Sequence, residues 1–250
     1  MRVEAIVSEQ AVQEVGVLRA RLERTRRLGA PVLPVHPALA EVLPGGGLRP
    51  GAAYALAPSS ALLTALMAGP SQAGAWCAVI GMPELGTEAG EQAGIELARL
   101  VLIPDPGPRW LAVVAAAAEV MPVVAVRPPA RAKDAEVARL SARLRDRGTV
   151  LLVQGAWPQA EAVLEVGDPS WTGLGAGHGR LSRREVTVVA ASRRWPSPRS
   201  VRLALPASGG GIDAAGGIGA ERGVGREPGS RFPARPGPYE RPVALGRAAG

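Results

Sequence analysis

The chain has 250 residues, of which 47% are hydrophobic and 3% aromatic; that is enough for one sizeable α/β domain with appendages and too little for two full domains. Scarce aromatics leave the core to Val, Leu and Ala, which favours helices on an aliphatic parallel sheet over an aromatic-rich β sandwich. The formal charge of +7 is carried almost wholly by arginine, because Lys133 is the one lysine, and it permits contact with phosphates or acidic partners without requiring it.

Residues 1–30 form the first unit. From Ser8 to Leu28 the apolar residues Val12, Val15, Leu18 and Leu22 recur at helical spacing, with Ser8 as the cap and arginines toward the end, where they suit the helix dipole. Residues 31–51 follow as a Pro/Gly-rich linker with five prolines, read as an extended connection ending in a glycine turn. His36 lies in it without a second metal-type ligand nearby, so a solvated or packing role is expected.

The core domain spans 52–206. Short β-branched runs alternate with helical stretches, the pattern of βαβ units. Strands are expected near Ala52–Leu56, Cys77–Gly81, Leu100–Ile103, Val123–Val126 and Thr149–Val153. Helices are expected near Ser60–Ala68, Thr87–Arg99, Pro108–Val120 and Lys133–Arg147. Cys77, alone in the chain and inside the run WCAVIG, excludes a disulfide framework and reads as a buried structural thiol. The apolar run from Leu111 to Val126 is broken by Glu119 and Pro122, and the amino terminus lacks a basic-then-apolar signal pattern, so a soluble, cytoplasmic protein is expected. After Gln154, strand-like segments recur without a helix between them, and the sheet should end in antiparallel strands. Residues 207–250, rich in Gly, Pro, Ala and Arg, read as a flexible tail with Phe232, Pro233 and Tyr239 as its sticky points.

The segment YALAPSSALLTALMAG, from Tyr54 to Gly69, has the strand, loop and helix layout of a phosphate-binding loop. A working loop needs G-x-x-x-x-G-K-[ST]: glycines that let amides wrap the phosphates, a lysine for their charge and a hydroxyl for magnesium. Here Ala57, Pro58, Ser59, Ser60, Ala61 and Leu62 fill those positions, and the lysine place is Leu62. The strand that should end in a metal-binding acid ends in Arg127, which would repel magnesium but suits a bare phosphate, Glu84 or Asp105. No cofactor, metal site or catalytic residue is expected.

The order HPALAEVLPGGGLRPGAAYALAPSS, GAWCAVIGMPELG, GEQAGIELARL, VVAVRPPA and RGTVLLVQGAW resembles the core of the RecA recombinase. With WTGLGAGHGRL and a closing LALP, residues 36–206 resemble the actinobacterial RecA-like mutagenesis proteins of the ImuA group. The resemblance implies a RecA-like three-layer core, with a mainly parallel sheet ending in antiparallel strands. It further implies a non-catalytic adaptor of the SOS response and error-prone translesion synthesis. The implied partners are a Y-family-like polymerase adaptor, an error-prone DNA polymerase III alpha-type subunit and the RecA recombinase. Glu84 lies near the catalytic glutamate of RecA but offset by about one residue, and that role is not carried over.

Two loops match the DNA-facing loops of that family. Trp157 follows the fifth strand and is either DNA-facing or a lid over the sheet edge. Trp171, His178, Arg180, Arg183 and Arg184 cluster with four glycines, either contacting DNA or a partner or forming a solvated turn. In the amino-terminal helix, Leu18, Arg19, Leu22 and Arg26 mark either an interface with another subunit or a face folded back on the core. Trp76, Trp110 and Trp195 read as packing residues. The alternatives to the adaptor are a single-stranded DNA-binding protein and an NTPase whose unorthodox site uses Ser59 or Ser60.

Overall fold

A computed structural model describes residues 31–174, 179–207 and 211–214. The helix expected at Ser8–Leu28, with Leu18, Arg19, Leu22 and Arg26, lies outside the described residues, as do His178 and nearly all of the tail.

The elements in chain order are α1 (Pro37–Ala40), β1 (Ala53–Leu56), α2 (Ser60–Gln72), β2 (Cys77–Ile80) and α3 (Thr87–Gln92). After a 3₁₀ turn (Leu97–Arg99) come β3 (Leu100–Ile103), α4 (Trp110–Val120), β4 (Val123–Val126), α5 (Asp134–Arg147) and β5 (Val150–Gln154). The chain then runs through β6 (Ala162–Leu174), β7 (Gly179–Ser192), β8 (Arg199–Ala204) and β9 (Asp213–Ala214). All nine strands join one sheet in the order β3-β2-β4-β5-β1-β6-β7-β8-β9. Strands β1 to β6 are parallel to their neighbours, and the pairs β6–β7, β7–β8 and β8–β9 are antiparallel. This is the RecA-like arrangement, a mainly parallel sheet finished by antiparallel strands.

Burial follows from the two-residue period of the strands. In β1, Tyr54 and Leu56 face one core while Ala53 and Ala55 face the other, and β2, β4 and β5 divide in the same way. The first core is closed by α2 through Leu62, Leu63 and Leu66, and by Leu39, Val42 and Leu43 around α1. The second is closed by α4 through Trp110 and Val114, and by α5 through Val137, Leu140 and Leu144. Three layers result. Strands β1, β2, β4 and β5 are buried at every position, which is why they read in the sequence as unbroken apolar runs.

Several expectations need correction. Residues 31–51 are not an extended linker: Leu39, Val42, Leu43 and Leu48 are buried in the first core, α1 starts with Pro37 in its first turn, and Leu33 bridges to Leu48. The helix expected to stop at Ala68 runs on through Gly69 and Pro70 to Gln72. Gly69 is the reason, because a Cβ there would lie 2.3 Å from the Pro34 carbonyl oxygen, so the folded-back segment packs directly on this turn. The helix expected over Thr87–Arg99 breaks at Gly94, whose φ of +96° is left-handed. The tail contributes one short element, β9, which pairs with the end of β8. Trp76 is 48% exposed rather than packed. Cys77 is buried as expected, and burial pushes its thiol pKa up to about 12.

Candidate functional site

In open α/β sheets ligands meet the carboxyl ends of the strands, and in this chain those ends carry the residues that stand in the positions of a phosphate loop. The turn between β1 and α2 is only Ala57, Pro58 and Ser59. Its hydrogen bonds run to β6, within the turn and into the start of α2. Ala57 N–H donates to the Leu164 carbonyl at 2.8 Å, Ser59 N–H to the Ala57 carbonyl at 2.7 Å, and Leu63 N–H to the Ser59 carbonyl at 3.1 Å. Ser59 Oγ caps α2 by accepting from Leu62 N–H at 3.2 Å, and Pro58 has no N–H to offer. Ser60 is exposed and Ala61 half-buried. Leu62, in the lysine position, is fully buried in the first core. The amides of Ala57, Ser59, Leu62 and Leu63 are therefore committed to protein acceptors.

The same strand ends hold a polar group of three residues. By strand alternation Arg127, just past β4, and Gln154, the last residue of β5, face the α2 side. Arg127 donates to Gln154 Oε1 through Nε at 3.0 Å and Nη2 at 2.6 Å, and its Nη1 pairs with Glu84 on the loop after β2. Of the two acids that suited Arg127 in the sequence, Glu84 is its partner. The Glu84 carboxyl is held below its ordinary range by its own backbone N–H and then by the hydrogen bond from Arg127. Gln154 Nε2 is buried and has no partner among the described residues. The sequence reading passed over Gln154. Its signal was available, a lone polar residue closing the otherwise apolar strand VLLVQ at the ligand-facing end.

Trp157 belongs elsewhere. It is 7% exposed and sits in the second core with Ala53, Ala55 and Leu140, because residues 155–161 carry the chain across β1, between Gly155 N–H on the Leu56 carbonyl and Glu161 N–H on the Ala53 carbonyl. Trp157 thus packs against β1 in the middle of the sheet rather than over a sheet edge. In this structure it presents no ring face to a base.

The second cluster stands on a two-stranded ribbon. Strand β6 pairs with β1 only over Ala162–Leu164, and β8 reaches along β7 only from Ala190 to Glu185. Beyond those points β6 and β7 pair with each other alone, up to Leu174 opposite Gly179. Since β6 runs parallel to β1, the ribbon rises on the side of the strand ends described above. Trp171 is 55% exposed, with the Arg184 guanidinium 5.8 Å from its ring centre, and Arg184 Nη1 donates to the Leu205 carbonyl at 3.3 Å. On the other face Arg183 pairs with Glu185 at 3.1 Å, and Arg202 reaches Glu185 at 3.4 Å and Ser170 Oγ at 2.6 Å. Arg180 lies on β7 by its backbone, its side chain outside the described part. The structure thus brings Trp171 and Arg184 together on one face of the ribbon, sets Arg183 on the other, and leaves Trp157 apart.

Charge is divided across the sheet. Between residues 180 and 202 the sequence has seven arginines and one acid, Glu185; between 84 and 105 it has five acids and one arginine, Arg99. The β7–β8 edge is basic and the β3 edge acidic. At the opposite end of the strands, Glu161 binds both Arg49, at 2.6 Å, and Arg194, which ties the amino-terminal segment and the β7–β8 turn to β6. Tyr54 is buried beside them, accepts from Arg49 N–H at 2.8 Å, and has its pKa raised by burial to about 12. Among the described residues no cluster of His, Cys, Asp and Glu could hold a metal. His36 caps α1 by accepting from Ala38 N–H at 3.3 Å. No described helix is long and apolar enough to cross a membrane.

Residues 41–159, which run from α1 past β5, match the family model described as the MT3502 N-terminal domain. The chain is also similar to the uncharacterized protein Rv3395c of Mycobacterium tuberculosis, 34% identical over 121 residues. That alignment covers 47% of this chain and 59% of the mycobacterial protein. Both likenesses agree with an actinobacterial RecA-like protein of this kind, and the chain spans little more than half the length of the relative it matches.

Proposed function

We propose that the protein is a non-catalytic adaptor on a RecA-like core, acting in DNA damage tolerance. It joins a Y-family-like polymerase adaptor, an error-prone polymerase III alpha-type subunit and the RecA recombinase in error-prone translesion synthesis, in the cytoplasm at the nucleoid. One observation carries the reading. Where a RecA-like ATPase would hold phosphate, a three-residue turn spends its two amides on Leu164 and Ala57, and Leu62 fills the lysine position inside the core. A scaffold kept without its nucleotide grip serves to present surfaces, and the ribbon with Trp171 and Arg184 is the most prominent of them. Reconstitution of the full chain with the polymerase components and a recombinase filament tests this, with residues 215–250 present and deleted. The reading predicts a complex that forms without nucleotide; recovery of neither polymerase component nor recombinase contradicts it.

A second reading, single-stranded DNA binding, is favoured by the ribbon alone, where an exposed indole stands beside Arg184 on the basic edge. It predicts salt-sensitive quenching of tryptophan fluorescence by an oligonucleotide, weakened by substitution of Arg180 or Arg183. Binding that is absent or independent of salt rejects it.

A further inference from the structure

The carboxyl ends of β4 and β5 hold a hydrogen-bond donor that nothing in the described protein uses. Gln154 is 4% exposed, and both Arg127 N–H groups that reach it, at 3.0 and 2.6 Å, end on Oε1. Those contacts fix the amide orientation, because turning it over would set an NH₂ group against two guanidinium donors. Nε2 is thereby directed away from Arg127, sealed from water and without an acceptor, a state that an entering acceptor would relieve. Beside it the Arg127 side chain is 35% exposed and that of Glu84 half exposed. Glu84 is held at the guanidinium from a loop rather than from the sheet.

We propose that this polar group at the strand ends is a receptor for a carboxylate carried by a protein partner, with Glu84 as the internal stand-in that the partner displaces. This rests on the adaptor reading and names its docking point. An incoming carboxylate takes the guanidinium Nη1–H that Glu84 releases, while Gln154 Oε1 keeps the guanidinium oriented and the buried Nε2–H of Gln154 stands beside the site as a further donor once Glu84 has left. A polyphosphate is matched poorly. The site has one cation, already facing an acid, and the neighbouring turn has committed its two amides to Leu164 and Ala57; the one lysine, Lys133, stands at the start of α5.

The test follows the Gln154 side-chain NH₂ resonances of the isotope-labelled full chain during titration with N-acetylglutamate amide, N-acetylglutamine amide, inorganic phosphate and magnesium-ATP. The carboxylate probe should move those resonances, and the neutral amide and the phosphates should leave them in place. Glu84→Gln removes the internal competitor and should tighten the probe roughly tenfold; Arg127→Leu should weaken it by at least about tenfold. Glu84 is exposed, so its variant keeps the test independent of any folding defect from Arg127→Leu. Unmoved resonances at saturating carboxylate, an equal response to the neutral amide or to phosphate, or an unchanged affinity in Glu84→Gln overturns the receptor. A reconstituted polymerase complex together with unmoved Gln154 resonances rejects the receptor and leaves the adaptor standing. A responding Gln154 without any polymerase or recombinase complex rejects the partner and leaves a carboxylate site.

Discussion

The two halves of the sheet are built from one chain under different rules. In the parallel half, β1, β2, β4 and β5 are covered on both faces and buried at every residue. In the antiparallel half, Val186, Val188 and Ala190 of β7 face the first core, while on the other face Val163 is 42% exposed and Glu165, Ser200 and Arg202 are exposed. The first half is a scaffold in which a polar change is costly. The second presents side chains on a ribbon, where changes cost little stability and alter recognition. The turn at Ala57, Pro58 and Ser59 belongs to the scaffold, and Leu62, where a phosphate loop would carry its lysine, is buried in the first core.

The largest effect expected from this contrast is Leu62→Lys, which restores the lysine of a phosphate loop in name. Because Leu62 is fully buried, the ammonium enters the core without a partner and stability should fall by about 3–5 kcal/mol. Denaturant unfolding with and without magnesium-ATP checks this; a stable, nucleotide-protected variant would break the contrast. Trp110→Ala, which empties part of the second core, should cost about 3–5 kcal/mol. At Trp171, on the ribbon, the same change should cost only about 0.5 kcal/mol yet reduce binding to a partner or an oligonucleotide; equal losses in the two variants would erase the distinction.

Smaller effects sharpen the boundary between the halves. Ser59→Ala removes the cap on Leu62 N–H and should cost about 1 kcal/mol, with no change in any nucleotide response. At Glu84 the folded carboxyl titrates below the ordinary glutamate value of 4.5, first through its own backbone N–H and then through Arg127. Its contribution is therefore complete above that value and is lost as the pH falls through the lowered pKa. The stability gap between the protein and Glu84→Gln should be small, constant near neutrality, and closed in acid. A gap that widens below pH 4.5 has the wrong sign.

Much of the scaffold was legible in the sequence because it obeys local rules. Strands at Leu100–Ile103 and Val123–Val126 are found at the residues expected, since apolar β-branched runs bounded by Pro and charged residues leave little choice of register. What could not be read depended on long-range contact. The extension of α2 past Gly69 and Pro70 rests on the Pro34 backbone packed against it, and the prolines of residues 31–51 hid the fact that Leu39, Leu43 and Leu48 complete a core. At the strand ends the missing phosphate groups were visible residue by residue. Gln154 was visible only as a polar residue closing an apolar strand; its role shows once Arg127 is seen to fix its amide. Trp157 followed the same logic in reverse: its place after β5 suggested a DNA-facing loop, and the crossover on β1 buries it.

The most direct test of the central claim is the melting temperature of the full-length protein with and without excess magnesium-ATP. A ligand at a hundred times its dissociation constant adds about 2.7 kcal/mol to the folded state, a shift of several degrees for a domain of this size. The account predicts no shift, because the turn at Ala57, Pro58 and Ser59 has no amides to offer and Leu62 no charge. A shift of several degrees that is abolished in Ser59→Ala or Ser60→Ala would show a working nucleotide site and contradict it.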